Sequence, residues 1–137
     1  MQVQEGEGWR LTVDPLRRPF LVLIGGSGWA AELSAPEAEA LRRGVARLVA
    51  QHRQLVDTLL AEEVIALELE MELAGGGLWL GLEGDRQVWS LRFVLTPPSG
   101  QRGLEGAWSA GASAAMAAAL EMASPFADRG AAGADSG

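Results

Sequence analysis

The sequence contains no cysteine, no lysine and no tyrosine, and it has a single histidine. Without cysteine there can be no thiolate nucleophile, no disulfide and no sulfur ligand for zinc. Without lysine there is no amine for Schiff-base chemistry and no phosphate-binding lysine of a P-loop. These absences exclude several large classes of enzyme and cofactor site.

Long apolar runs are absent as well. No segment approaches the roughly 18–20 apolar residues that span a bilayer, and no basic segment followed by an apolar one marks a secretory signal at the start. We therefore predict no membrane partner and a cytoplasmic location. The chain has 137 residues, of which 48% are hydrophobic and 21% charged, which is typical of one globular domain.

Positive charge is scarce in the second half of the chain. The net charge is −7, and all 11 basic residues are arginines. Residues 1–61 contain seven arginines and seven acids, whereas residues 62–123 contain three arginines and nine acids. Proteins that bind nucleic acid normally present a basic surface, because phosphate contacts supply most of the non-specific affinity. The charge distribution therefore disfavours a nucleic-acid partner.

The stretch from Val64 to Leu95 has the period-two alternation of β-strands. In its first ten residues apolar side chains alternate with glutamates, so the two kinds lie on opposite faces. Gly75-Gly76-Gly77 and Gly84-Asp85 predict turns into two further strands. We expect an antiparallel meander with an apolar face covered by helix and a solvated side, here called the acidic face.

The acidic face is the first candidate site. Trp79 is out of phase with the leucines beside it, which places its side chain among the glutamates. Carboxylates on alternate residues of a strand lie roughly 7 Å apart, too far for one small cation to bind them all. We therefore predict a partner-binding surface with no metal, no cofactor and no catalytic residue. The candidate partner residues are Glu68, Glu70, Glu72, Trp79 and Glu83.

The first half of the sequence predicts a similar unit. Its expected strands are Trp9–Asp14, Phe20–Ile24 and Gly28–Leu33. Ser34 and Glu37 form the capping box of a helix, and apolar residues at spacings of three and four continue that helix to about Leu60. His52 lies in this apolar stripe and has no second histidine or cysteine with which to bind a metal. A partly buried, hydrogen-bonded structural histidine is therefore favoured over a catalytic base or a ligand.

The second unit ends with a short strand within Arg102–Trp108 and a helix over Ala110–Ala123. We therefore predict an α+β fold with antiparallel strands in two tandem strand-and-helix units, about 9–60 and 64–123, with the long helix covering the first. Together they form a single domain over residues 1–123. Residues 124–137 are of low complexity and predict a disordered tail.

Several short pieces of the sequence resemble a known family. They are Gly8-Trp9-Arg10, Leu23-Ile24-Gly25-Gly26 with Trp29, Glu62-Glu63 entering Leu67-Glu68-Leu69-Glu70, and Arg102 followed by Leu104-Glu105-Gly106-Ala107-Trp108. Over about Gly8 to Met122 the chain is similar to a cyanobacterial family of uncharacterised proteins, domain of unknown function 1818. The resemblance implies a fold like that of the Whirly-type single-stranded-DNA-binding transcriptional regulators. In those proteins two strand-and-helix motifs of one chain form a pseudo-dimer. The resemblance implies no catalytic residues.

The tryptophans allow an alternative function. All five lie on or beside predicted strands, and single-stranded nucleic acid binds sheets by stacking bases on such rings. Indoles that fill a core or a dimer interface give the same pattern. The glutamates beside Trp79 would repel phosphate, so a nucleic-acid surface would have to lie on the first half. Its candidate residues are Trp9, Arg10, Arg17, Arg18 and Trp29.

The leading prediction is a non-enzymatic binding or assembly protein whose acidic face meets a basic patch on a protein partner, with a second copy of the chain among the candidates. The alternative prediction is a single-stranded DNA- or RNA-binding regulator, which rests on fold analogy alone.

Overall fold

The fold is α+β, with two four-stranded antiparallel sheets in which the strand order follows the chain. The computed structural model describes residues 1–98, 102–123 and 125–126. The first sheet comprises β1 (Gln2–Gly6), β2 (Trp9–Val13), β3 (Val22–Gly26) and β4 (Trp29–Leu33), and it is followed by α1 (Ala35–Leu55). The second comprises β5 (Ile65–Leu73), β6 (Gly76–Gly84), β7 (Trp89–Thr96) and β8 (Leu104–Trp108), and it is followed by α2 (Ala110–Ala123). Four strands and a helix therefore occur twice in the same order.

The predicted strands differ from the observed ones mainly at the start of the chain. Because residues Met1–Gly8 are mostly polar and show no apolar alternation, the sequence predicts a frayed start or at best a short edge strand there, and the structure has the edge strand β1. It pairs with β2 through a hairpin that closes at Gly6 and Trp9. Gly8 has a φ of 81°, a backbone conformation that glycine adopts at little cost in such a turn. The first sheet therefore has a fourth strand, β1, at its edge.

The capping box predicts the start of α1 correctly. The amide of Glu37 donates to Ser34 Oγ at 3.4 Å, and the amide of Ser34 donates to Glu37 Oε1 at 2.8 Å. The predicted end at about Leu60 is wrong, because α1 ends at Leu55 and a 3-10 turn follows at Val56–Thr58. Leu59 is then extended, so the apolar residues after Leu55 continue the spacing but not the helix.

The prediction that the long helix covers the first unit is also wrong. α1 packs against β5 and β6 of the second sheet, while α2 packs against β1 and β2 of the first sheet and against β7 and β8 of its own. α1 therefore lies on the sheet of the other unit, whereas α2 lies between the two sheets and contacts both. One buried cluster includes residues of both sheets and both helices, among them Ile24, Leu41, Leu80 and Met116.

Gly44 marks the closest approach of α1 to the second sheet. A Cβ added at this position would lie within van der Waals radii of Leu80 Cδ1, and 3.0 Å from Met71 Sδ. The helix axis can approach the sheet this closely only because Gly44 has no side chain. Periodicity fixes the apolar face of α1 but contains no information about which sheet that face contacts.

A buried hydroxyl connects α2 to the second sheet. Ser113 is fully buried, and its Oγ accepts a hydrogen bond of 3.0 Å from the amide of Leu91 in β7. The same hydroxyl lies 2.8 Å from the carbonyl oxygen of Ser109, to which it can donate. Ser113 therefore satisfies a strand amide at the point where β8 ends.

The predicted tail begins with a buried residue. Phe126 has 3% of its surface exposed and belongs to the core cluster, which corrects the prediction at this position. The disorder prediction rests on the many small residues of this segment, and it does not take account of one large apolar side chain among them. Ser124 and residues 127–137, the rest of the predicted tail, lie outside the described residues. In the described part of the chain, neither helix is long and apolar enough to cross a membrane.

Candidate interaction surface

The alternation in β5 predicts the orientation of its side chains correctly. Glu68, Glu70 and Glu72 are exposed, whereas the apolar residues between them turn toward α1. On the neighbouring strand Leu80 is fully buried, and Glu83 is exposed. The acidic face is therefore the outer surface of the second sheet.

The strand register extends this surface beyond β5 and β6. Glu70 lies opposite Trp79, which lies opposite Val94, and Val94 lies opposite Glu105 of β8. Four strands thus contribute to one row that begins and ends with a carboxylate. The sequence does not predict Glu105 on this face, because its strand is short and its phase relative to β5 is set only by the register.

Trp79 is held flat at the centre of the acidic face. A Cβ added at Gly81 would lie 2.7 Å from Cη2 of the indole, so the ring occupies the space above this glycine. The guanidinium carbon of Arg92 lies 5.0 Å from the centre of the ring, within the range of a cation–π contact. The alternation of β7 predicts Arg92 on this face, but its contact with Trp79 depends on the register, in which Arg92 pairs with Gly81 two positions after Trp79.

Two shallow depressions flank the indole. One, of about 290 Å³, has Trp79, Arg92, Val94 and Glu105 in its walls. The other, of about 440 Å³, lies on the opposite side and includes Glu70, Glu72 and Thr96. Each depression combines an aromatic wall with carboxylates. This is the chemistry that favours a cationic side chain over an anionic one.

His52 is buried and hydrogen-bonded, which agrees with the prediction of its environment. It is 4% exposed, and its Nε2 lies 2.8 Å from the carbonyl oxygen of Asp85 in the β6–β7 turn. Because a carbonyl oxygen only accepts, Nε2 must carry the proton. The ring also packs 6.0 Å from the centre of Trp89. His52 therefore holds the β6–β7 turn in place through a hydrogen bond from the buried side of the sheet.

Asp85 organises the same turn. Its Oδ1 accepts hydrogen bonds of 2.8 Å from the backbone amides of Val88 and Gln87. These bonds, that from Val88 first, hold the pKa of the Asp85 carboxyl below its usual value, because they stabilise the ionised form. When the ring of His52 is protonated, its positive charge lowers the same pKa further.

Two of the candidate nucleic-acid residues lie on the covered face of the first sheet. Trp29 packs against Phe93 and Trp108 of the second sheet, with ring centres 5.6 and 5.2 Å apart, and its indole nitrogen donates to the carbonyl oxygen of Ala107 at 3.0 Å. Trp108 donates in turn to the carbonyl oxygen of Gly25. Trp9 shares the face of Trp29 and is half-buried against the core. These indoles join the two sheets.

The candidate arginines are separated from those indoles. Arg10 follows Trp9 on β2, so its side chain lies on the other face of the sheet. It forms an ion pair with Glu5 at 2.9 Å, and Arg17 forms one with Glu32. Arg18 is exposed in the loop between β2 and β3. The structure therefore does not bring the five candidates together on one surface.

Carboxylates and the histidine do not gather into a metal site in the described ranges, where no group of three or more potential ligands occurs. Glu32 contacts Arg17, Glu105 lies on the acidic face, and His52 is buried beneath the second sheet.

The fold and this surface define a small α+β protein with two four-stranded sheets, one of which exposes an acidic outer face. The chain belongs to the family described as Domain of unknown function (DUF1818), whose match covers residues 4–123. Its structure is similar to the crystal structure of a protein with unknown function, from the DUF155 family, of Prochlorococcus sp. NATL2A. The TM-score is 0.80 and the identity 35%, over 89% of this chain and 98% of that chain. The comparison with curated proteins gives no match.

Proposed function

We propose that this is a non-enzymatic binding or assembly protein whose acidic face receives a basic surface of a protein partner. The observation that carries the proposal is the composition of that face in the described strands. It has five carboxylates against the single guanidinium of Arg92, with a half-buried indole at its centre. Such a surface attracts cationic partners and repels phosphate.

The flatness of this face supports binding rather than catalysis. The depressions beside Trp79 are shallow and lie on an open sheet, whereas an acid–base site needs a cleft that separates the pKa values of its groups. Trp79 suits the centre of a protein interface, where aromatic residues are enriched.

A charge-neutral variant tests the proposal. Glu68→Gln, Glu70→Gln and Glu72→Gln together should abolish capture of partners from native lysate at physiological salt. A matched control removes three charges from exposed positions outside the face, through Glu7→Gln, Asp57→Asn and Glu62→Gln. We expect the control to capture the same partners as the unaltered chain. Equal capture by both variants would contradict the proposal.

The alternative is a single-stranded DNA- or RNA-binding regulator with a Whirly-like arrangement. The packing of α1 on the second sheet and of α2 partly on the first supports that arrangement, because a fused dimer with exchanged helices would have such contacts in one chain. The indoles on the covered face and the paired arginines do not support the activity. Labelled single-stranded oligonucleotides decide the question. A mobility shift at low salt that weakens steeply as salt rises would establish this alternative, and the absence of a shift would remove it.

A further inference from the structure

β5 is the longest edge strand of the fold. It has nine residues and pairs with β6 on one side, and no described strand pairs with its other side. An unpaired edge presents a row of amide and carbonyl groups to which another strand can bind. The edge strand β8 of the same sheet is shorter and is covered by the indole of Trp29, which contacts the carbonyl of Ala107. β5 is therefore the open edge of the second sheet.

The hairpin geometry determines which backbone groups face the open edge. Leu73 and Gly76 close a two-residue loop, so they form a hydrogen-bonded pair. Hydrogen-bonded and non-bonded pairs alternate along an antiparallel ladder. The backbone groups of Leu73, and of every second residue before it, therefore point to β6. Those that point outward belong to Ala66, Glu68, Glu70 and Glu72.

The bond between Leu91 and Ser113 agrees with this phase. Leu82, the partner of Leu91, directs its own backbone groups to Leu67 of β5, so the amide of Leu91 must point away from β6. The hydrogen bond from the Leu91 amide to Ser113 Oγ shows that this amide does point away from β6.

The side chains of β5 favour a particular kind of added strand. Its inward-facing apolar residues remain half-exposed, whereas their neighbours on β6 are buried: Leu78, Leu80 and Leu82 are 3%, 0% and 1% exposed. Apolar residues on an added strand would cover this exposed edge. On the outer face, residues of that strand would lie roughly 5 Å from the glutamates of β5, measured between Cβ atoms.

We propose that the partner docks by strand addition: an extended segment with basic residues at alternate positions, and apolar residues between them, pairs with the open edge of β5. The inference rests on the proposed function of the acidic face and adds where and how the partner binds. The backbone groups of Glu68, Glu70 and Glu72 supply hydrogen bonds, and their carboxylates select the basic side chains.

A second copy of the chain is a poorer fit to this edge than a basic segment. If two β5 strands paired antiparallel about Leu69, Glu68 of each would lie opposite Glu70 of the other. Like charges placed directly opposite each other destabilise a sheet. The glutamates therefore disfavour self-pairing about Leu69 and favour a basic segment as the occupant.

The test uses the full chain and a synthetic nine-residue peptide in which arginine and valine alternate. A second peptide has the same composition with its arginines grouped at one end. Titration followed by fluorescence anisotropy should show at least tenfold tighter binding of the alternating peptide. Glu70→Pro and Glu70→Gln form a matched pair of variants, since both remove the charge but only proline removes the outward amide. We expect Glu70→Pro to bind at least tenfold more weakly than Glu70→Gln.

Hydrogen exchange of the unaltered chain gives a readout that does not depend on the folding of the proline variant. Saturation with the alternating peptide should slow exchange at Glu68, Glu70 and Glu72. If both peptides bind equally, and exchange at these amides does not change, strand addition is refuted while the basic-partner function stands. If neither peptide binds, and neutralising the three glutamates also leaves partner capture unchanged, the proposed function fails as well.

Discussion

Gly44→Ala should destabilise the protein although alanine is the better helix former. In the middle of a helix alanine is favoured over glycine by about 1 kcal/mol. At this position the new methyl group would overlap Leu80 Cδ1, and Leu80 is fully buried. To restore a contact of about 3.5 Å, the helix or the leucine must move by more than about 1 Å. Overpacking of this kind costs about 1–3 kcal/mol.

The net loss expected for Gly44→Ala is therefore about 1–2 kcal/mol in the free energy of unfolding, measured by urea denaturation. Gly111→Ala is the matched control, because nothing lies within 4 Å of the added methyl group. It should leave stability unchanged or raise it by up to about 1 kcal/mol. In a Leu80→Val background, which lacks Cδ1, Gly44→Ala should lose its cost. A Gly44→Ala protein as stable as the unaltered chain would refute the close packing of α1 on the second sheet.

Three further measurements follow from the buried and turn hydrogen bonds. Ser113→Ala removes the acceptor of the Leu91 amide and should lower the free energy of unfolding by about 1–3 kcal/mol in urea titrations; a change below about 0.5 kcal/mol would contradict that role. The depressed pKa of Asp85, due chiefly to the amide of Val88, gives stability that is present above the unfolded-state pKa near 4. This contribution is lost as the pH falls from there through the folded-state pKa. The stability difference between the unaltered chain and Asp85→Asn should therefore shrink on acidification, and a constant difference would argue against it. The imidazole of His52 should be the Nε2–H tautomer by ¹⁵N NMR, and an Nδ1–H form would contradict its bond to the Asp85 carbonyl.

Much of the second sheet could be predicted from the sequence because both of its faces leave a mark in the residue pattern. In β5 the alternation of leucine and glutamate gives the strand, its phase and its exposed side. Trp79 was placed correctly by the same reasoning, since only its phase matters. The capping box at Ser34 likewise depends on residues three positions apart.

What could not be predicted depends on contacts between distant elements. The apolar face of α1 predicts that this face is buried, but it does not predict that the second sheet is what buries it. The contact of Arg92 with Trp79 and the membership of Glu105 in the acidic face both require the register of three strand pairs. The role of Trp9 and Trp29 could not be predicted from the sequence. An indole that stacks on a base and an indole that joins two sheets occupy the same kind of strand position.

The packing of α1 on the second sheet, and of α2 between the two sheets, bears on how the chain could be divided. Residues 60–64 are exposed and form the covalent link between the two units. A cut at this linker would separate α1 from the second sheet on which it packs, and would separate α2 from the first of the two sheets that it contacts. Neither fragment could complete its own interior, so the pair should reassemble by complementation when mixed.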